Sequence, residues 1–525
     1  MKHHLKIILA TGTTLLATLP VEGMFRNNTP LHIAVSGGDL EIVKFLLEEG
    51  VDIEAQDRYG DRPLHIAVQS GNLEIIKFLL EEGANREAPA NNGDRPLHIA
   101  ARGGNLEIVT LLLEKGADIE APANNGDTPL YLAVEWDNLE MATLLLEKGA
   151  DPNAQNSRYY TSLHTAVESN YRKMTARLLQ AGADPDAQDI DGDTPLHIAT
   201  QFDYLKIAKL LFEKGVDTEE QNINGDTPLH IAVRFGKLDM LTILLEKGAD
   251  IQARNFDSRT LLHIAAESND LNMAALLLEM GADPDAQDNY SNTPLHIAAE
   301  SNDLGMTALL LEMGADREAQ NSHDKTPLYI AVESDNLETV TLLLEMGADR
   351  ETRSDASYTP LHEAAPMGSP KMAKLLLKMG ADPDAQDIDG DTPLHFAVQF
   401  SNLEMAKLLL KMGADPDAQN IYGRRPLHDA VKAKHWRWQG DIASAQKEIA
   451  CVRAQLAEGA KLIEDEPCVT SVWPPRQIQR PFQPQRTPRP TGRQAMESSK
   501  IKHDTNSGIL WEPSSKRRRL MSFLA

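Results

Sequence analysis

Thr194-Pro195-Leu196-His197-Ile198-Ala199 opens a stretch that closes on Lys214-Gly215-Val216-Asp217, and both ends recur along the chain at one fixed interval. The opening phrase begins at positions 29, 62, 95, 128, 161, 194, 227, 260, 293, 326, 359, 392 and 425. The closing glycine falls at 50, 83, 116, 149, 182, 215, 248, 281, 314, 347, 380 and 413, always 21 residues after the opening Thr or Arg. A period of 33 residues is short for a domain and right for a stacked repeat.

The chemistry of one unit predicts its shape. Thr194 is placed to cap a helix and Pro195 stands at its first position, where a missing N–H costs nothing. That helix should run to about Phe202. From Tyr204 to Lys214, the residues Leu205, Ile207, Ala208, Leu210 and Leu211 share an apolar face, so a second helix follows and stops at Gly215. The linker from Val216 ends in the turn signal Asn224-Gly225-Asp226. Neither short helix can bury its apolar face alone, so neighbouring units must stack. The expected fold is an all-α repeat solenoid of helix pairs with projecting β-hairpin-like loops.

The 33-residue period, the Thr-Pro-Leu-His opening and the Gly-Ala-Asp close resemble the ankyrin-repeat family, over residues 29 to about 461. The resemblance implies L-shaped units of two antiparallel helices and a hairpin, used to bind proteins along a concave groove. The organisation read from the chain is a leader or degenerate cap at 1–23, twelve regular repeats at 24–424, an extended capping repeat at 425–466, and a disordered basic, Pro-rich tail at 467–525. Trp436 and Trp438 are expected to seal the cap or to form a docking spot. In the leader, Ile7–Leu19 is an apolar run too short to span a bilayer. It reads as a signal-peptide core, a worn capping helix or an unstructured leader, and Met24 offers an alternative start.

The recurrent histidines invite a metal or proton-relay reading. Ligands of one metal must converge within a few ångströms, whereas successive helix layers lie about 8–10 Å apart. His32, His65, His98, His197, His230, His296 and His395 are therefore expected to hydrogen-bond the backbone and the opening Thr, tying hairpin to helix start. Tyr131 and Tyr329 take the same place in two units. The Asp-rich linkers, such as Asp189-Ile190-Asp191-Gly192-Asp193, lack the first and last ligands of an EF-hand loop and read as turns. No phosphate loop, dinucleotide fingerprint or nucleophile elbow occurs. No enzyme, cofactor, metal or small-molecule substrate is expected.

Specificity should reside where the frame lets residues vary. Seven and eight residues after each opening lie Glu135, Glu168, Glu267, Glu300 and Glu333, and Trp136, Phe202 and Phe235. The aromatic trio is expected to anchor a partner or to fill gaps between helices, and the glutamates to select a basic or partly hydrophobic protein. Tyr59, Tyr159, Tyr160, Phe256, Tyr290, Tyr358 and Tyr422 are assigned to loop tips as a second surface. Ser162 and Leu261 replace the opening proline, and Glu363, Pro366 and Pro370 mark residues 359–380 as a kink or early-opening segment.

The 525 residues carry a net charge of -26. From Thr470 onward the balance is about +8, so the preceding body is near -34. Such a body repels phosphate backbones and favours cationic proteins, so nucleic-acid contact is expected only weakly through the tail. Lys516-Arg517-Arg518-Arg519 suits a nuclear import signal, or contact with a membrane or the acidic repeats. No other stretch approaches transmembrane length. A monomeric recognition scaffold, cytoplasmic or nuclear unless the N-terminal run exports it, is the leading reading. A structural tether directed by its basic tail and an adaptor presenting substrates to an associated enzyme are the alternatives.

Overall fold

The computed structural model describes residues 29–426 apart from Ser401. The leader, the tryptophan-bearing cap, the Pro-rich tail and Lys516–Arg519 lie outside the described residues. Each of the twelve units that open at Thr29 through Thr392 contributes two helices, 24 among the described residues. In unit six the first is Pro195–Gln201 and the second Leu205–Phe212, each ending one or two residues before the apolar pattern suggests.

The first helices begin as the sequence requires. Thr194 is extended and accepts from the His197 N–H at 3.4 Å, while Pro195 occupies the first turn. The second helices are capped by Asn or Asp in most units, as where Asn105 accepts from the Ile108 N–H at 3.1 Å. This bond satisfies one of the orphan donors of a helix start. Units five and eight keep the first helix without the proline, at Ser162–Glu168 and Leu261–Glu267, with the same His-to-cap bond. In unit eleven the helix runs from Pro360 through Pro366 to Met367 and turns at Gly368.

Leu196, Ala199, Ile207, Ala208 and Leu211 are buried in unit six, and their equivalents repeat along the stack. First helices pack on first helices and second on second, so the core is a continuous strip between two helix layers. The connecting loops form no β-strands among the described residues. They show only isolated bridges, Gln155 to Thr161 and Arg254 to Thr260.

Candidate protein-binding surface

Most of the histidines bridge one unit to the next. Thr194 N–H donates to His197 Nδ1 at 3.2 Å, its hydroxyl lies 2.9 Å from the same nitrogen, and Nε2 lies 3.0 Å from the Asp226 carbonyl oxygen in the next loop. A carbonyl only accepts, so Nε2 carries the proton and Nδ1 is the acceptor. The same bridge to a residue 29 positions on recurs at His32, His98, His230, His296 and His395. His65 Nδ1 accepts from Arg62 N–H at 3.0 Å, while its Nε2 makes no hydrogen bond. Burial lowers His65, His197 and His296 to about 4, which keeps the rings neutral near pH 7. Among the described residues, no three His, Cys, Asp or Glu side chains are grouped to hold a metal ion.

The loop acids serve a second ladder. Asp217 caps its own turn by accepting from Glu219 N–H at 2.8 Å, and Glu219 then accepts from Asp250 N–H, 31 residues on, at 3.0 Å. The preceding rung is Asp186 accepting from Asp217 N–H at 2.9 Å. Burial is the main reason that Asp186 and Glu351 sit above the usual carboxylate range. Much of the Asp and Glu in these loops is therefore backbone-bound, as the turn reading of the linkers implies.

The end of each first helix faces outward. Trp136 is 61% exposed, Phe202 44% and Phe235 45%, each as the residue that caps its helix. Each ring is thus partly open to solvent. Phe202 also stacks on Tyr204, with ring centroids 5.6 Å apart. Gly37, Ser70, Gly103, Ser169, Ser268, Ser301 and Ser334 occupy the equivalent position in seven other units, and the exposed Met367 and Phe400 occupy it in the remaining two. A cavity of about 480 Å³ lies between units two and three, lined by Gln69, Ser70, Asn92, Asp94, Arg102 and Gly103 among others.

The glutamates are not one acidic row. Glu267 accepts from Arg259 at 3.0 Å and Glu333 from Lys325 at 2.8 Å, in each case from eight residues upstream. Glu168 accepts from the Tyr160 hydroxyl at 3.3 Å across the same interval. In units three and seven the pair is reversed, as Arg102 to buried Asp94 at 2.8 Å and Arg234 to buried Asp226. Glu135 and Glu300 make no ion pair among the described residues. At Glu135 the upstream residue is Asp127, which is itself buried and bonded by Asn156 at 3.0 Å. Glu135, next to Trp136 in sequence, thus carries a charge with no ion pair among the described residues.

The loop-tip assignment needs correction at two places. Tyr160 and Tyr358 stand immediately before the first helix and pack against His164 and His362, with centroids 5.0 and 6.0 Å apart. Tyr59, Tyr159, Phe256, Tyr290 and Tyr422 are exposed on the loops. So are Ile190, Ile223, Ile388 and Ile421, which the sequence reading passed over because each is a single aliphatic residue in a polar turn.

The family model described as "Ankyrin repeats (3 copies)" matches residues 12–90, 82–156, 163–255, 253–321, 314–387 and 361–437. No curated protein matches the chain.

Proposed function

The chain belongs to the ankyrin-repeat family, and from that premise we propose that it is a non-catalytic scaffold that recognises a basic, partly hydrophobic protein at the ends of its first helices. The observation that supports this reading is the exposure of Trp136, Phe202 and Phe235 at a position that is Ser or Gly in seven of the twelve described units. A large aromatic held in water by a rigid helix loses little entropy on docking and buries much apolar area. Glu135, adjacent in sequence and free of an ion pair, supplies the charge that a partner lysine or arginine needs. The Trp136 ring supplies a face for the same cation.

Affinity capture from the native organism tests the proposal, using the full chain, the Trp136→Ala/Phe235→Ala variant and a chain ending at Val469. A partner retained by the truncated chain and lost by the double variant is the expected result. A partner that follows residues 470–525 and ignores the double variant would favour the tethering role instead.

A further inference from the structure

The row of loop tips between residues 189 and 257 combines two features that neither the repeat frame nor the helix-end surface explains. Ile190, Ile223 and Phe256 are 56%, 45% and 59% exposed, and each sits at the same point of three consecutive loops. Elsewhere that point carries Arg58, Asn91, Asn124, Ser157, Asn289, Ser322 or Asp355, with exposed isoleucines again at Ile388 and Ile421, so the frame does not demand an apolar residue and 190–256 is the run of three. The tips are bonded in series: Ile190 N–H donates to Arg158 O at 3.0 Å, Ile223 N–H to Asp191 O at 3.0 Å, and Phe256 N–H to Asn224 O at 3.1 Å. The three side chains therefore form a fixed line, spaced one helix layer apart at about 10 Å.

Charge on the two loops that carry the isoleucines is one-sided. Residues 182–193 and 215–226 together contain nine Asp and Glu and no Lys or Arg. Asp184, Asp191 and Asp217 are exposed and make no ion pair among the described residues, whereas Asp226 pairs with Arg234. Moreover, the line has no furrow. A Cβ on Gly225 would lie 2.3 Å from Phe256 N and 2.6 Å from its ring, and one on Gly192 would lie 2.9 Å from Ile223 N. A helix has nothing to sink into, and β-augmentation is blocked because the tip N–H groups are already donated along the line.

We propose that this line of tips docks an extended basic segment of a partner protein whose apolar side chains recur at every third residue. A polyproline II chain has three residues per turn and advances about 9 Å per turn, so such residues share one face at nearly the tip spacing. Lys or Arg at the intervening positions then reaches the acidic flanks. The inference rests on the scaffold reading above, but it concerns a different surface.

The test uses the full chain and a fluorescein-labelled peptide of four Leu-Pro-Arg triplets, with binding read by anisotropy. Expected results are binding at least tenfold tighter than that of a same-composition peptide with irregular leucine spacing, and weakening as salt rises. The Ile190→Asn/Ile223→Asn/Phe256→Asn variant should lose tenfold or more, well beyond any loss in Trp136→Ala. Because Asn already occupies this point in three other loops, the triple variant should keep the wild-type unfolding midpoint. Ile223→Ser alone, with a smaller loss, provides the check if it does not. Equal affinity for both peptides, no binding of either, or an unaffected triple variant would overturn the inference. If Trp136→Ala abolishes peptide binding while the triple variant does not, the tips are excluded and the helix-end reading stands.

Discussion

The Tyr329 hydroxyl donates to Glu363 Oε2 at 2.9 Å, joining the first helices of units ten and eleven. Tyr329 occupies the histidine position, and Glu363 occupies a position that is Ile, Leu or Phe in ten of the twelve described units. The other exception is Thr165, which lies 34 residues after Tyr131, the other tyrosine to replace the histidine in the described units, although the Thr165 hydroxyl makes no hydrogen bond. At Tyr329 the phenol bonds a side chain of the next unit, where the histidines bond a loop carbonyl.

Glu363→Ile alone should therefore destabilise unit eleven. It leaves a largely buried phenol without a partner, at a cost of about 1–3 kcal/mol. Tyr329→His/Glu363→Ile, which restores the majority arrangement, should recover most of that loss. Urea unfolding of the four proteins of the cycle measures the coupling, and simple addition of the two single effects would show that the pair is not a unit.

This relationship revises the reading of residues 359–380 as a defect. The period, the caps and the two outward positions of each first helix are all legible, because each follows from local spacing within one unit. What is not legible is whatever depends on a neighbour across the stack. Glu363 taken alone is a charge where an isoleucine belongs. Glu267 and Glu333 read as a bare acidic row because Arg259 and Lys325 lie across a helix start rather than one helical turn away. Ile190 reads as part of a turn, since nothing local says that its side chain points to water.

The buried histidines make stability fall with acid. Burial lowers His65, His197, His296 and His362 to about 4, whereas an unfolded imidazole titrates near 6.5. The unfolded chain thus binds more protons between these values. The stabilisation is complete above about pH 6.5 and is lost as pH falls toward 4. Carboxyls raised by burial, such as Asp193 and Glu363, act in the opposite sense nearer pH 4, so the steepest loss should lie between about 6.5 and 5. A urea midpoint that declines over that window, with imidazole NMR shifts still those of neutral rings at pH 5, is expected. Rings that titrate near 6.5 in the folded chain would contradict this account.

Unequal pairing of the glutamates predicts unequal effects on a cationic partner. Glu135→Gln removes an unpaired charge beside Trp136 and should weaken binding about three- to tenfold, less so at high salt. Glu267→Gln frees Arg259, and a partner seated at Trp136 should register less than a twofold change. Isothermal titration with the captured partner compares the two, and equal losses would mean that only the total charge matters.

Gly215 and Gly225 separate backbone strain from close packing. Their φ angles are nearly the same, +78° and +76°, yet a Cβ at Gly215 meets nothing within 4 Å while one at Gly225 meets Phe256 N at 2.3 Å. Gly215→Ala should cost only the left-handed penalty of about 1–2 kcal/mol. Gly225→Ala bears that penalty and also pushes away the next loop, so the bond from Phe256 N–H to Asn224 O at 3.1 Å must break. It should be the more destabilising of the two, and hydrogen exchange should quicken at the Phe256 amide in that variant but not in Gly215→Ala. The distinction matters for the docking line, because Gly225 is the residue that lets Phe256 stand one layer from Ile223. If Gly225→Ala left the Phe256 amide protected, the tips would be held by something other than their mutual contact, and the fixed spacing argued for that line would lose its cause.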